Sequence, residues 1–261
     1  MRTGRAILVG ILAGSVSVLS VWGGADEVEA AELTAMSAGA AKPAVMDLAE
    51  TFRRETGHVV QFTFATVGTL QQKVAAGEMA DIFIMTDAAI DDLARKGIVA
   101  AGTRTDLGRV GIGVAVREGA AVPDISTPEA LKQTLLSAKS LVYVDPAKGG
   151  TSGIHFAGVL ERLGIAEAVK AKTTLLPGGY VVEPVAKGEI ELGVHQISEI
   201  LAVKGVRLVG PLPRALQKIT IYSAGLAART AAPDAARTFI AFLTSPAAKS
   251  KFIAVGLDYK E

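Results

Sequence analysis

The chain has 261 residues, half of them hydrophobic and 20% charged, so it holds one large domain or two modest ones with a real buried core, and intrinsic disorder is excluded. A formal charge of +1 gives no electrostatic footprint for nucleic acid or for a polybasic membrane contact. The absence of cysteine removes disulfides, thiolate zinc sites, iron–sulfur clusters, a cysteine nucleophile and a lipidated N-terminal cysteine.

Residues 1–30 read as a cleaved signal peptide. Arg2 and Arg5 precede an apolar run at 6–22, and Val28 and Ala30 supply small residues before a cut at Ala31. An N-terminal anchor is the alternative, but 17 residues fall short of the roughly 20 that span a bilayer. Cleavage would remove two arginines, three acids and the single tryptophan, Trp22, leaving 25 basic against 23 acidic residues, +2. The mature protein is expected in the periplasm.

From there, short β-rich runs alternate with helical patterns. A strand is predicted at 33–36 and a helix at 41–55, where Ala44, Val45, Leu48, Ala49 and Phe52 recur on one face. A strand at 59–64, a helix at 69–76, a strand at 82–85 and a helix at 88–95 follow, the last capped by Asp87 and stopped by Gly97. This βαβαβα order implies a largely parallel sheet covered on both faces. Then come a long strand at 109–116, a helix at 127–138, a strand at 141–144, a helix at 152–163 and a strand at 173–176. A short helix at 181–187 and strands at 192–195, 206–211 and 220–228 lead to helices at 233–243 and 245–253. The pattern is two α/β blocks and a helical tail.

Ligands of open α/β sheets bind at the carboxyl ends of strands. Three post-strand loops share one chemistry: small residues, hydroxyls and free N–H groups at a helix start. They are Ser37-Ala38-Gly39-Ala40-Ala41, Ala65-Thr66-Val67-Gly68-Thr69, and the loop through Lys148-Gly149-Gly150-Thr151-Ser152-Gly153. Helix N-termini carry partial positive charge and unpaired donors, so the three could enclose an anion. Ordinary capping would also account for each loop taken singly. The third is the least ordinary, because its glycines allow close backbone approach.

Enzyme motifs are weak. Gly150-Thr151-Ser152-Gly153-Ile154 lacks the closing glycine of a nucleophile elbow, and no Walker A, dinucleotide or His-Glu-x-x-His motif occurs. Asp81 and Asp87 read as turn and cap residues, His195 as a packed histidine and His58 as a solvated one. No catalytic residue, metal ligand or cofactor is predicted.

The stretch Gly68-Thr69-Leu70 through Gly77-Glu78-Met79-Ala80-Asp81-Ile82-Phe83 resembles the hallmark of periplasmic molybdate-binding proteins of ABC importers. Leu33-Thr34-Ala35-Met36-Ser37-Ala38 is similar to that family's first strand and loop, and Gly188-Glu189 through Gly193 to its turn into a late strand. The resemblance implies an α/β, two-lobed, type II periplasmic binding fold. Each lobe would be a mixed, mostly parallel sheet flanked by helices, joined by two crossing hinge strands. Lobe 1 would comprise 31–113 and 222–261, and lobe 2 would comprise 114–221. It further implies a non-enzymatic, monomeric substrate-binding protein that closes on a small anion and delivers it to an inner-membrane ABC permease.

The ligand set implied is Ser37, Ala38, Thr66, Val67, Thr69, Gly150, Thr151, Ser152, Gly153 and Gln196. The family's two ligand serines fall at Ala40 and Val67, its tyrosine near Gln196 and its third-loop alanine near Ser152. Each lost donor costs a buried oxyanion about 1–3 kcal/mol, which admits another oxyanion or a small carboxylate beside molybdate. Gln196 and Ser198 would donate to carboxylate oxygens, Glu199 would cap the helix after it, and Lys148 would steer anions. A ligand-presenting sensor and a secreted hydrolase using Ser152 are the alternatives.

Overall fold

The computed structural model describes residues 30–258. The expected signal peptide lies outside them apart from its last residue.

The first sheet is built from β1 (Glu32–Ala38), β2 (Val59–Ala65), β3 (Ile82–Thr86), β4 (Thr105–Val110) and β10 (Thr220–Leu226), in the order β2-β1-β3-β10-β4. β1 runs parallel to β2 and β3, whereas β10 is antiparallel to β3 and β4. The second sheet holds β5 (Ile112–Arg117), β6 (Leu141–Val144), β7 (Thr173–Leu176), β8 (Leu192–Gln196) and β9 (Val206–Pro211), in the order β7-β6-β8-β5-β9. β6 is parallel to β7 and β8, and β5 is antiparallel to β8 and β9. Two mixed sheets with helices on their faces make the two-lobed α/β fold that the resemblance implies.

Helices α1 (Lys42–Thr56), α2 (Val67–Ala75) and α3 (Asp87–Arg95) cover the first sheet, joined from the far end of the chain by α9 (Pro233–Phe242) and α10 (Pro246–Ala254). α1 buries Ala44, Val45, Leu48, Ala49 and Phe52, the face its periodicity marks, and ends at Gly57 in a left-handed conformation, φ 79°. Phe52 meets Phe239 and Phe242 of α9 at ring-centroid distances of 5.0 and 5.5 Å, so the tail completes the first core. The second sheet carries α4 (Pro128–Ser137), α5 (Thr151–Arg162), α6 (Ala166–Lys170), α7 (Glu183–Ala186) and α8 (Ile197–Leu201). Its two faces bury separate clusters, one around Phe156 and Leu131, the other around Val142, Val182 and Val185.

Several expectations change. The long strand predicted at 109–116 is two strands on different sheets, parted at Gly111. Val110 and Ile112, on either side of Gly111, are both fully buried, so the apolar alternation runs on unbroken across the change of sheet. At the crossing the Gln217 side chain acts as a piece of strand: the Ile112 N–H donates to its Oε1 at 2.9 Å, and its Nε2 donates to the Ile112 carbonyl at 2.8 Å. Thr86, not Asp87, caps α3 by accepting from the Ala89 N–H. His58 is buried rather than solvated, its Nδ1 accepting from the Ala31 N–H at 3.0 Å. Asp81 ties three segments together, since its carboxylate accepts from the Thr34 N–H and hydroxyl and from the Thr230 hydroxyl. The five-residue helices α6 and α8 are too short to have shown a period.

Candidate functional site

β1, β2, β6 and β8 end at Ala38, Ala65, Val144 and Gln196, and these four residues line one cleft between the lobes. Its volume is about 180 Å³. The loops that leave these strands close round it: Gly39 and Ala40 from the first, Thr66 and Val67 from the second, Gly150, Thr151 and Ser152 from the third. Lys42, Phe64, Gly178, Gly179, Tyr180, His195, Glu199 and Tyr222 complete the wall.

Of the residues singled out from the sequence, Ala38, Thr66, Val67, Gly150, Thr151, Ser152 and Gln196 line the cleft, while Ser37, Thr69 and Gly153 do not. Ser37 is fully buried in its strand, and its hydroxyl donates to the Ala38 carbonyl. Gly153 lets α5 lie against β6, because a Cβ there would stand 2.0 Å from the Val144 carbonyl oxygen. Thr69 belongs to the seam between the lobes. Its hydroxyl and that of Thr66 both donate to the Lys148 carbonyl, and the Gly68 N–H donates to the Gly149 carbonyl at 3.1 Å. The two backbones approach so closely that a Cβ on Gly68 would fall 2.6 Å from the Gly149 Cα. On the other side of the cleft the Ser198 hydroxyl, which the sequence suggested for a ligand, donates to the Ala40 carbonyl at 2.9 Å. The lobes are therefore closed on one another, with Lys148 contributing its carbonyl to the seam.

The cleft contains a buried charged pair that the sequence reading misplaced. Glu199 does not cap α8; it lies inside it, and its Oε1 is 3.3 Å from Nε2 of His195. Their side chains are 7% and 3% exposed. Nε2 also lies 3.0 Å from the Gly179 carbonyl, and Nδ1 lies 3.2 Å from the Ser152 hydroxyl. A carbonyl and a carboxylate only accept, so Nε2 carries a proton and donates to both. Burial pushes the His195 pKa down, but the Glu199 charge, its hydrogen bond and the Gly179 carbonyl outweigh it and hold the imidazole above its ordinary value. Gly39 makes room for this pair, because a Cβ there would meet Glu199 Oε1 at 2.5 Å.

Beside the pair stands a second network. Gln196 Nε2 donates to the Thr151 hydroxyl at 2.8 Å and to the Tyr222 hydroxyl at 3.4 Å. Burial, and then the Glu199 charge, push the Tyr222 phenol far above its usual range, so it stays a neutral donor. Gln196 Oε1 has no partner although Gln196 is 1% exposed. The cleft thus offers hydroxyl and helix-start donors and the Gln196 acceptor next to one acid–base pair. Among the described residues no group of His, Asp and Glu side chains is arranged to hold a metal ion.

The sequence missed His195, Glu199, Tyr180, Tyr222 and Lys42 as cleft residues. The His195–Glu199 spacing of four was visible in it. A strand end running into a five-residue helix hid that the two side chains converge.

Residues 33–258 match the bacterial extracellular solute-binding protein family. The chain is 36% identical over 219 residues to an aconitate isomerase of Pseudomonas sp., covering 82% of each. It is 29% identical over 217 residues to the molybdate-binding protein ModA of Escherichia coli K12, covering 81% of this chain and 83% of that one. The periplasmic molybdate-binding protein of Azotobacter vinelandii superposes with a TM-score of 0.69 at 18% identity, over 88% of this chain and all of the other. The chain belongs to the bacterial extracellular solute-binding proteins.

Proposed function

We propose that the cleft takes a small unsaturated polycarboxylate and interconverts its isomers by proton transfer. The observation that carries this reading is the buried His195–Glu199 pair in the cleft wall. Passive capture of a compact oxyanion needs donors only, and a carboxylate beside it is a liability. Moving a double bond along a three-carbon unit needs a base that removes a proton from the carbon beside it and returns one at the other end. The pair supplies such a group, while the backbone N–H groups at the start of α5 and the linked Thr151 and Tyr222 hydroxyls supply donors to the carboxylate on which negative charge develops. The likeness to the Pseudomonas aconitate isomerase supports the same chemistry, with aconitate as the first substrate to test. Ala40 and Val67, standing where the molybdate binders place serines, weigh against molybdate.

Purified protein incubated with trans-aconitate in deuterated buffer should yield the cis isomer with deuterium incorporated, read by proton NMR. Glu199→Gln should slow this by about a hundredfold or more. Binding of aconitate by the wild type without any isomerisation would remove the enzymatic reading.

The second reading is the one the resemblance implies: an extracytoplasmic receptor that captures a small anion and hands it to an ABC permease. The 29% identity to the Escherichia coli molybdate-binding protein favours it. Ligand uptake lost on deleting the gene, with no turnover in vitro, would establish it. A sensor role would leave uptake intact.

A further inference from the structure

Lys42 opens α1 and lines the cleft. Its ammonium lies 5.2 Å from the centroid of the Phe64 ring and 5.2 Å from that of Tyr180. Phe64 belongs to β2 in the first lobe, and Tyr180 to the loop between β7 and α7 in the second. The cation is therefore enclosed by two aromatic faces that meet only when the lobes close. Aromatic faces attract a cation without neutralising it. Among the described residues no carboxylate pairs with Lys42, and apart from His195 it is the one cationic side chain on the cleft wall. His195 already has Glu199 as its counter-charge. Lys42 is thus left with an uncompensated positive charge facing the ligand space.

We propose that Lys42 is a specificity-determining residue that binds a further carboxylate of the ligand, beyond the one held by the donors at the start of α5. This rests on the carboxylate reading above and names the part of the ligand that reading left open. Hydroxyl and backbone donors recognise one anionic group by shape, and they do not count charges. An ammonium fixed on the first lobe adds a second anchor that an extended di- or tricarboxylate reaches and a compact anion does not. Because Tyr180 comes from the opposite lobe, closure and enclosure of this cation occur together. A ligand that holds the ammonium in place therefore also favours the closed state.

The test is calorimetric titration of the wild type, Lys42→Met and Lys42→Arg with trans-aconitate, which has three carboxylates, and with crotonate, an unsaturated monocarboxylate. Circular dichroism melts of all three proteins serve as the folding control. Loss of a charged hydrogen bond should weaken trans-aconitate binding about 10-fold or more in Lys42→Met, with crotonate changed less than about 2-fold and Lys42→Arg in between. The salt dependence of trans-aconitate affinity should flatten in Lys42→Met. Equal loss for both ligands, or none for trans-aconitate, overturns the assignment of Lys42 and leaves the carboxylate reading standing. A wild type that binds neither carboxylate overturns both.

Discussion

Replacing Glu199 with glutamine removes one charge from the cleft while keeping the shape of the side chain. At 3.3 Å and an effective dielectric of 20, the pair's attraction is about 5 kcal/mol. Desolvation of two buried ions offsets most of it. The variant retains a hydrogen-bond acceptor for Nε2, and His195 escapes an unpaired buried charge by losing its proton. The net cost should therefore be about 2 kcal/mol near pH 6, below the 3–5 kcal/mol of a buried charge left stranded.

The pH dependence discriminates more sharply. In the wild type the fold raises the His195 pKa above its ordinary 6.5, so its contribution is complete below that value and is lost as pH rises through the folded one. In Glu199→Gln burial, the largest influence, is opposed only by the Gly179 carbonyl, the smallest, so the pKa falls and the contribution reverses: stability is lost as pH falls through the ordinary value. The gap between the two proteins should be wider at pH 6 than at pH 8.5, because the wild-type contribution declines as pH rises above the ordinary value. Urea unfolding followed by far-ultraviolet circular dichroism at the two pH values measures it. The three histidines of the chain make the parallel imidazole titration by NMR easy to read. Identical pH dependence in variant and wild type would refute the assignment of a charged pair.

Three further outcomes follow. A Cβ at Gly149, where φ is 68°, would fall 2.5 Å from the Gly68 Cα, so Gly149→Ala should wedge the seam open. Its radius of gyration in X-ray solution scattering should rise, and ligand affinity should fall about 10-fold. Phe52→Ala removes a fully buried ring from the first core and should cost about 3–5 kcal/mol in urea unfolding. For Asp81, burial raises the pKa, but hydrogen bonds from Thr230 and Thr34 outweigh it and hold the carboxyl below its ordinary 3.8. Its contribution is present above that value and is lost as pH falls through the folded one. Asp81→Asn should cost about 1 kcal/mol near pH 7, given its partial exposure, and should flatten the acid limb of the stability curve.

The element order was legible from the sequence because each element has a one-dimensional signature. The buried face of α1 is a period near 3.6, the residues of β6 are a continuous apolar run, and Gly97 follows the end of α3 with a left-handed turn. The Gly68-to-Phe83 stretch carried the family. The donor loops followed from a general rule, since loops after parallel strands gather at one edge. Thr66, Thr151 and Ser152 were reached in that way, and Gln196 through the place of the family's tyrosine.

What the sequence left undecided is what depends on two distant segments meeting. Nothing local to Gly111 says that the chain changes sheets there, because burial on both sides erases the boundary. Nothing local to Glu199 says whether it caps its helix or turns back on His195. Lys42, Phe64 and Tyr180 lie 22 and 116 residues apart in turn, and only closure of the lobes makes them one subsite. Local periodicity and capping chemistry thus determined the elements and the fold class. The charge distribution of the cleft, which decides between holding an anion and moving its protons, was set by tertiary packing, since a pKa or an ion pair belongs to a three-dimensional neighbourhood.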